Sequence, residues 1–434
     1  MWIGLLFFFL SLPGYSGLFL LRWVPAGRAW TDISKALAFG QVGAADPNAW
    51  YGLLGAWVFL LVVLTPAAKL VGVKVKSWLA GFTLIYWVSM ALWIGAFYQP
   101  LVKAIGSAEI GFVFALIVGM ALGNIPSLPQ WLRDSAKGEF FIKIAIVLLG
   151  AKILFSTLSA VILPILGAAL LSFPVMWVVA YALGRKAGLE QKLAVVLSSG
   201  VGVCGISASI ATAGAVEAPA IYPTLISSII VVFSAVELLV MPYVSVFVFP
   251  HSPYAAGAWM GLSVKTDGAA SASGAVVSGL MGLGPTGTPA LIAATTKVMI
   301  DVWIGLIAFI LAIVFTYRIE RKPGAHVSPL VIWYRFPKFV IGYIFTSAAL
   351  SVLAYTYPTV AAGQAAVAPV AAFGTTNLQL MFFAFTFTAI GITTRFSNLR
   401  QVGLGKPVLV YVLALLFAIV WGGVMAYAFL SGLS

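Results

Sequence analysis

The sequence predicts an all-α polytopic membrane protein, and three observations support this fold class. Of its 434 residues, 62% are hydrophobic and 8% are charged, and the mean hydropathy is +1.10. Apolar runs that match the ~20 residues of a spanning helix recur along the whole chain. Turn-forming and basic residues separate these runs, as they do in the connections between membrane spans. This composition excludes a soluble globular protein.

The apolar runs predict about 13 transmembrane helices. They cover residues 1–21, 50–73, 77–98, 108–125, 139–156, 159–183, 192–216, 222–250, 255–281, 288–316, 336–357, 374–394 and 407–431. The first run lacks a basic n-region and a small-residue cleavage site, so we expect it to remain as a span. Basic residues favour alternate connections, which predicts a cytoplasmic N-terminus and a periplasmic C-terminus in a bacterial inner membrane.

The spans suggest three parts. Residues 1–104 form an N-terminal three-helix membrane module, 105–252 a first five-helix repeat and 253–434 a second. The two sets of five have opposite orientation, and the fourth helix of each is polar and rich in glycine, at 192–216 and 374–394. This pattern predicts an inverted 5+5 repeat with two interrupted helices, which is typical of secondary transporters.

The segment from Ser198 to Ser209 is the clearest candidate for an interrupted helix. Its glycines weaken the helix, and backbone freed inside a membrane survives only where protein covers it or where it lines a wet cavity. We predict that it binds a small substrate together with the end of 374–394, through Ser199, Gly202, Cys204, Gly205, Ser207, Ser209, Thr393 and Thr394. The alternatives are that the hydroxyls bond their own helix carbonyls and that Cys204 is a small buried hydrophobe.

Charged residues inside apolar runs need an explanation, because each costs at least ~2.5–3.5 kcal/mol at the bilayer centre. Lys265, with Thr266, and Lys297 are predicted to bind an anion, and Asp267 and Asp301 to bind a coupling ion, H⁺ or Na⁺. Lys265 and Asp267 would point to opposite faces of a regular helix unless the backbone unwinds there. The alternative is a charge-balanced lock between helices. For Glu237, Lys143 and Lys152 we favour a structural role, as a buried ion pair or as a side chain that snorkels to an interface.

Several classes of function are disfavoured. The single cysteine excludes an internal disulfide, and two histidines without a Cys/His cluster predict no metal site. The net charge of +13 is explained by topology rather than by nucleic-acid binding. Since the sequence has no Walker loop and no HExxH motif, we expect no catalytic residue, no cofactor and no enzymatic activity.

Five stretches carry a resemblance to a known family. They are Ile110–Asn124, Ile144–Lys152, Ser198–Thr212, Gly261–Gly274 with Thr296-Lys297 following, and Gly391–Arg395 before Gly405-Lys406-Pro407. Over residues 105–432 the chain resembles the sulfate exporter family of bacterial inner-membrane proteins. The resemblance implies a fold related to the cation/proton antiporter and anion transporter superfamily, with two crossing broken helices. It also implies secondary-active export of a small anion, sulfate or a sulfonate.

The chain departs from that family at the predicted site. Lys265-Thr266 stands where the family has a histidine followed by an acidic or polar residue, and Ile300 stands where it has a basic residue. Two alternatives therefore stay open: a sodium- or proton-coupled organic-acid carrier, and a non-transporting membrane subunit or sensor. The expected partners are the lipid bilayer, a small anion and coupling H⁺ or Na⁺, with no nucleic acid. The three N-terminal spans are compatible with a homodimer.

Overall fold

The computed structural model describes residues 1–12, 30–32, 50–101, 110–151, 155–219, 221–284, 287–319, 330, 333, 338–359, 362–363, 366–367, 376–395 and 405–433. Within these ranges all regular structure is helical, and the one β-type contact is an isolated bridge between Trp30 and Tyr98. The predicted all-α class is therefore confirmed.

The first seven helices precede the glycine-rich segment. They are α1 (Trp2–Ser11), α2 (Trp50–Leu70), α3 (Val75–Ala96), α4 (Ile110–Gly123), α5 (Gln130–Ser135), α6 (Gly138–Gly150) and α7 (Phe155–Lys186).

Ten helices follow. They are α8 (Gln191–Gly202), α9 (Ile206–Ala215), α10 (Ile221–Val248), α11 (Pro253–Ser263), α12 (Asp267–Leu280), α13 (Thr288–Asp301), α14 (Trp303–Ile313), α15 (Lys338–Tyr355), α16 (Thr376–Thr393) and α17 (Lys406–Leu430). A π-helical turn, Val314–Ile319, extends α14.

The described residues contain 7 helices that are long and apolar enough to cross a membrane. They are Gly52–Leu70, Val75–Ala96, Val161–Lys186, Ile221–Val248, Thr288–Ile319, Lys338–Tyr355 and Lys406–Leu430. Shorter apolar helices accompany them, and the protein is membrane-embedded. The number of 13 spans and the inverted repeat stay predictions, because breaks divide some predicted spans and others include residues outside the described ranges.

The helices divide into two compact units. Unit 1 comprises Met1–Ala160, Gly282–Thr286 and Lys338–Thr393, and unit 2 comprises Val161–Met281, Gly287–Pro337 and Thr394–Ser434. The predicted boundaries after residues 104 and 252 stay predictions.

In unit 1, α16 packs against α4 at a glycine-lined contact. A Cβ on Gly391 would lie 2.4 Å from the carbonyl oxygen of Leu116, and one on Gly119 would lie 2.5 Å from that of Thr388. Only glycine permits so close an approach of the two backbones. Helix α16 is continuous, so the interruption predicted for 374–394 is wrong over 376–393; Gly374 and Thr375 lie outside the described residues.

Unit 2 contains two interrupted helices. The first interruption, Val203–Gly205, separates α8 from α9 and lies inside the predicted segment. The second, Val264–Thr266, separates α11 from α12, whereas the second interruption was predicted for 374–394. Each break falls about midway along an apolar segment long enough to span a bilayer.

Candidate functional site

The first break depends on Gly205. Its φ of +69° lies in the region that favours glycine, so the chain can turn here between α8 and α9. A Cβ at this position would lie 2.8 Å from Ile230 Cγ2 and 3.0 Å from the carbonyl oxygen of Lys265. The glycine therefore also lets the first break approach the second.

Lys297, from α13, ties the two breaks together. Its Nζ donates to the carbonyl oxygens of Val203 and Val264, each at 2.9 Å, and to that of Lys265 at 3.3 Å. An ammonium group has three donors, so these three bonds use its full capacity. The carbonyls of Val203 and Val264 follow the C-terminal ends of α8 and α11, where a positive charge is stabilising.

We call this arrangement the double break: residues Val203–Gly205 and Val264–Thr266 together with Lys297. At the start of α12 the Thr266 hydroxyl accepts a hydrogen bond from the Ala269 backbone N–H at 3.2 Å and caps the helix. Asp267 is the first residue of α12, where a carboxylate is favoured by the helix dipole. The backbone thus unwinds between Lys265 and Asp267. On a regular helix these two charges would point to opposite faces, and the unwinding removes that restriction.

Three potential ligands converge beside the double break. Ligand atoms of Cys204, Asp267 and Asp301 all lie within 4.8 Å of one another, and the three residues are buried. They come from the first break, from the start of α12 and from the end of α13. Their convergence brings a thiol and two carboxylates to one point.

Buried charge is confined to this region of the described structure. The buried charged side chains are Glu237, Lys265, Asp267, Lys297 and Asp301, each at most 4% exposed. Two lysines and three carboxylates leave one net negative charge when all are ionised. An uncompensated charge in such a site costs several kcal/mol, so this imbalance favours the presence of a cation.

Glu237 was not a predicted site residue. Its Oε2 accepts a bond from the Lys265 backbone N–H at 3.3 Å, while Lys265 Nζ donates to the Leu262 carbonyl at 3.3 Å. An acidic residue in the middle of an apolar run was the signal in the sequence. The helical periodicity of that run did not identify a partner for its carboxylate. The structure places this carboxylate at the second break.

The structure brings together seven of the sequence-predicted site residues. They are Cys204, Gly205, Lys265, Thr266, Asp267, Lys297 and Asp301.

Two of the other residues predicted for the first interrupted helix bond neighbouring helices. Ser199 Oγ accepts a bond from Trp177 Nε1 in α7 at 3.0 Å, and Ser209 Oγ donates to the Val196 carbonyl in α8 at 3.2 Å. A Cβ on Gly202 would lie 3.2 Å from the ring of Phe173, and Ser207 is half-buried. Neither serine contact is the bond to a carbonyl of its own helix that was weighed as the alternative.

Thr393 and Thr394 belong to different units. Thr393 ends α16 in unit 1, is exposed, and donates to the carbonyls of Ala389 and Ile390 in its own helix. Thr394 is fully buried and belongs to unit 2.

Two further charges were predicted to be structural. Lys143 pairs with Glu139 at 3.3 Å one turn away, and both side chains are 34% exposed, so the pair is partly exposed and not buried as predicted. Lys152 lies outside the described residues.

Comparison with known proteins gives a consistent set of relatives. The family model described as conserved hypothetical protein 698 matches residues 80–411. A UPF0324 membrane protein of Nitrosomonas europaea is 34% identical over 95% of this chain and 91% of its own length. The UPF0324 inner membrane protein YeiH of Escherichia coli is 25% identical over 79% of this chain and 91% of its own length. No solved structure gives a significant match.

Proposed function

Because this chain belongs to the family of conserved hypothetical protein 698, whose curated relatives are UPF0324 membrane proteins, we propose that it is a secondary-active transporter. Its cargo is a small anion, which crosses the bacterial inner membrane by alternating access. The observation that carries the proposal is the meeting of two interrupted helices at Lys297.

Interrupted helices support transport for a physical reason. Lipid cannot hydrogen-bond backbone groups that a break releases, so breaks inside membranes occur where protein or water satisfies them. In transporters such breaks place helix ends and free backbone groups at the substrate and ion sites. A protein that needed only to anchor itself would gain nothing from two breaks and five buried charges.

The anion would bind at Lys265 and the start of α9 and α12. Helix N-termini present unpaired N–H groups and a partial positive charge, which favour anions. Lys297 is better assigned to holding the breaks, since its three donors are used by carbonyl groups. The resemblance noted above makes sulfate or a sulfonate the first candidate and export the first direction to measure.

The charge balance makes coupling to a cation part of the proposal. The five buried charged side chains carry one net negative charge when all are ionised. A substrate anion therefore binds beside them only together with a cation. Asp267 and Asp301 are the candidates to carry coupling H⁺ or Na⁺. We propose no catalytic residue, no cofactor and no nucleic-acid partner, and the functional form is compatible with a homodimer.

Flux into vesicles reconstituted with purified protein tests this function. Labelled sulfate and a labelled sulfonate are offered with and without Na⁺ and pH gradients. Lys265→Ala removes a charge-assisted contact worth about 1.5–3 kcal/mol, so apparent affinity for the anion should fall about ten- to hundredfold. Lys143→Ala, which removes a lysine of the ion pair in α6, is the matched control and should retain wild-type flux.

Each alternative has its own outcome. Competition by small carboxylates but not by sulfate or sulfonates would indicate an organic-acid carrier. Absence of flux together with stoichiometric co-purification of a soluble protein would indicate a non-transporting subunit. Wild-type flux in Lys265→Ala would contradict the site assignment.

A further inference from the structure

The cluster of Cys204, Asp267 and Asp301 has the donor set of a metal site. The ligand atoms lie within 4.8 Å of one another. A tetrahedral zinc ion has sulfur ligands at about 2.3 Å and oxygen ligands at about 2.0–2.2 Å, so two ligands of one ion lie about 3.4–3.6 Å apart. Small side-chain adjustments would therefore bring all three donors onto a single ion.

The chemistry of the donors selects the class of metal. Mg²⁺ and Ca²⁺ take oxygen ligands, whereas a thiolate favours softer ions. Zinc accepts mixed sets of cysteine and carboxylate, and a site with three protein ligands keeps a fourth position open for a small molecule. One cysteine and two aspartates match that pattern. The sequence predicted no metal site because it has no cluster of cysteines and histidines, and the two carboxylates join Cys204 only in three dimensions.

The charge of the double break supports the same conclusion. Glu237 is 4% exposed, and its Oε1 has no hydrogen-bond partner among the described residues, while its Oε2 bonds the second break. A thiol that binds a metal releases its proton to water. A divalent cation bound here therefore adds one net positive charge, which offsets the single negative charge of the five buried side chains.

We propose that Cys204, Asp267 and Asp301 bind one thiophilic divalent cation of the Zn²⁺ class. This site goes beyond the transport function proposed above and uses the carboxylates assigned there to coupling, so a bound divalent cation takes the place of coupling H⁺ or Na⁺ at Asp267 and Asp301. Binding to the purified protein is measured without any flux. The failure of either proposal is therefore distinguishable from the failure of the other.

The test uses Cd²⁺ as a spectroscopic substitute for Zn²⁺. Cys204 is the single cysteine of the chain, so a cadmium–thiolate absorption band in the ultraviolet reports on this residue alone. We expect the band to saturate at one Cd²⁺ per chain, to be reversed by Zn²⁺ and to be absent from Cys204→Ser.

Asp267→Asn and Asp301→Asn should each weaken Cd²⁺ binding at least about tenfold, since loss of an outer-shell contact alone costs that much. The matched control is Asp134→Asn in α5, whose carboxylate accepts a bond from Gln130 and lies in unit 1. It should bind Cd²⁺ as the wild type does. Absence of the band, or equal affinity in all three aspartate variants, would overturn the site.

A second measurement needs no variant and stays decisive if the aspartate variants fail to fold. X-ray absorption of the zinc-loaded wild-type protein should show one sulfur neighbour and otherwise oxygen neighbours. A zinc spectrum without a sulfur neighbour would overturn the proposal.

Discussion

Segments α8–α9 and α16 both combine glycines with hydroxyl side chains inside an apolar run, yet only the first is interrupted. In α16 the hydroxyls of Thr386, Thr388 and Thr393 donate to the carbonyls four residues earlier, and the helix is continuous. Its Gly391 serves close packing against α4. In α8–α9, Gly205 adopts a positive φ and the ammonium of Lys297 receives the released carbonyl of Val203.

The difference shows that glycine permits a break but does not cause one. A released carbonyl inside a membrane needs a donor, and a donor must come from elsewhere in the fold. Lys297 supplies it to both breaks of unit 2. Within α16 no such donor is needed, because threonine hydroxyls add bonds to a helix whose backbone ladder is intact.

The largest expected effect is that of Lys297→Met. It leaves three carbonyls at the double break without their ammonium donor, at ~1–3 kcal/mol for each unsatisfied group. Thermal unfolding in detergent should show a loss of several kcal/mol or no folded protein. The control Lys143→Met removes a partly exposed ion pair and should cost at most about 1 kcal/mol. Equal melting temperatures for the two variants would contradict the role of Lys297.

Gly205→Ala comes next. Alanine is strained at a φ of +69°, by about 1–3 kcal/mol, and its Cβ would crowd Ile230 and Lys265. The matched change Gly95→Ala meets no atom within 4 Å in α3 and should be neutral or slightly stabilising. Urea or thermal unfolding of both variants measures the difference, and a stable Gly205→Ala would mean that the break does not require this conformation.

Ser199→Ala has a smaller effect, which separates structure from substrate binding. It removes the acceptor of Trp177 Nε1 and should cost about 1 kcal/mol of stability. The KM for the transported anion should be unchanged, because the hydroxyl is used in helix packing. A large rise in KM with unchanged stability would restore Ser199 to the substrate site.

Thr393→Val should have the smallest effect. The hydroxyl is exposed and bonds only its own helix in the described structure, so stability should change by about 0.5 kcal/mol or less. Flux in reconstituted vesicles should equal that of the wild type. A flux defect without a stability change would support the sequence-predicted role of Thr393 in substrate binding.

Local patterns predicted part of this structure. Hydropathy predicted the helical membrane fold, and the glycine–serine composition of 198–209 predicted the first interruption. The charges of Lys265 and Asp267 indicated possible unwinding, but the second interruption was assigned to 374–394 because polar and glycine content and the matching fourth position in each set of five were the criteria. In α16 the threonine hydroxyls bond carbonyls of the same helix. Among the described contacts, no charged side chain donates to the backbone carbonyls of α16.

The remaining features depend on contacts that are distant in sequence. Lys297 donates to Val203, 94 positions away, and to Val264, 33 positions away. Lys297 and Asp301 lie on one helix, and no periodicity links either residue to Cys204. The position of the Glu237 carboxylate likewise depends on the packing of α10 beside the second break.

The most direct test of the central claim is the reactivity of Cys204 in reconstituted vesicles. This single cysteine is 2% exposed and lies within the first break. If the double break is an alternating-access site, a water-soluble maleimide should modify Cys204 in the folded protein, and transported anion with its coupling cation should change the rate. If Cys204 of protein freed of metal by a chelator reacts only after denaturation, with or without anion, the double break is a static lock and the transport account is wrong.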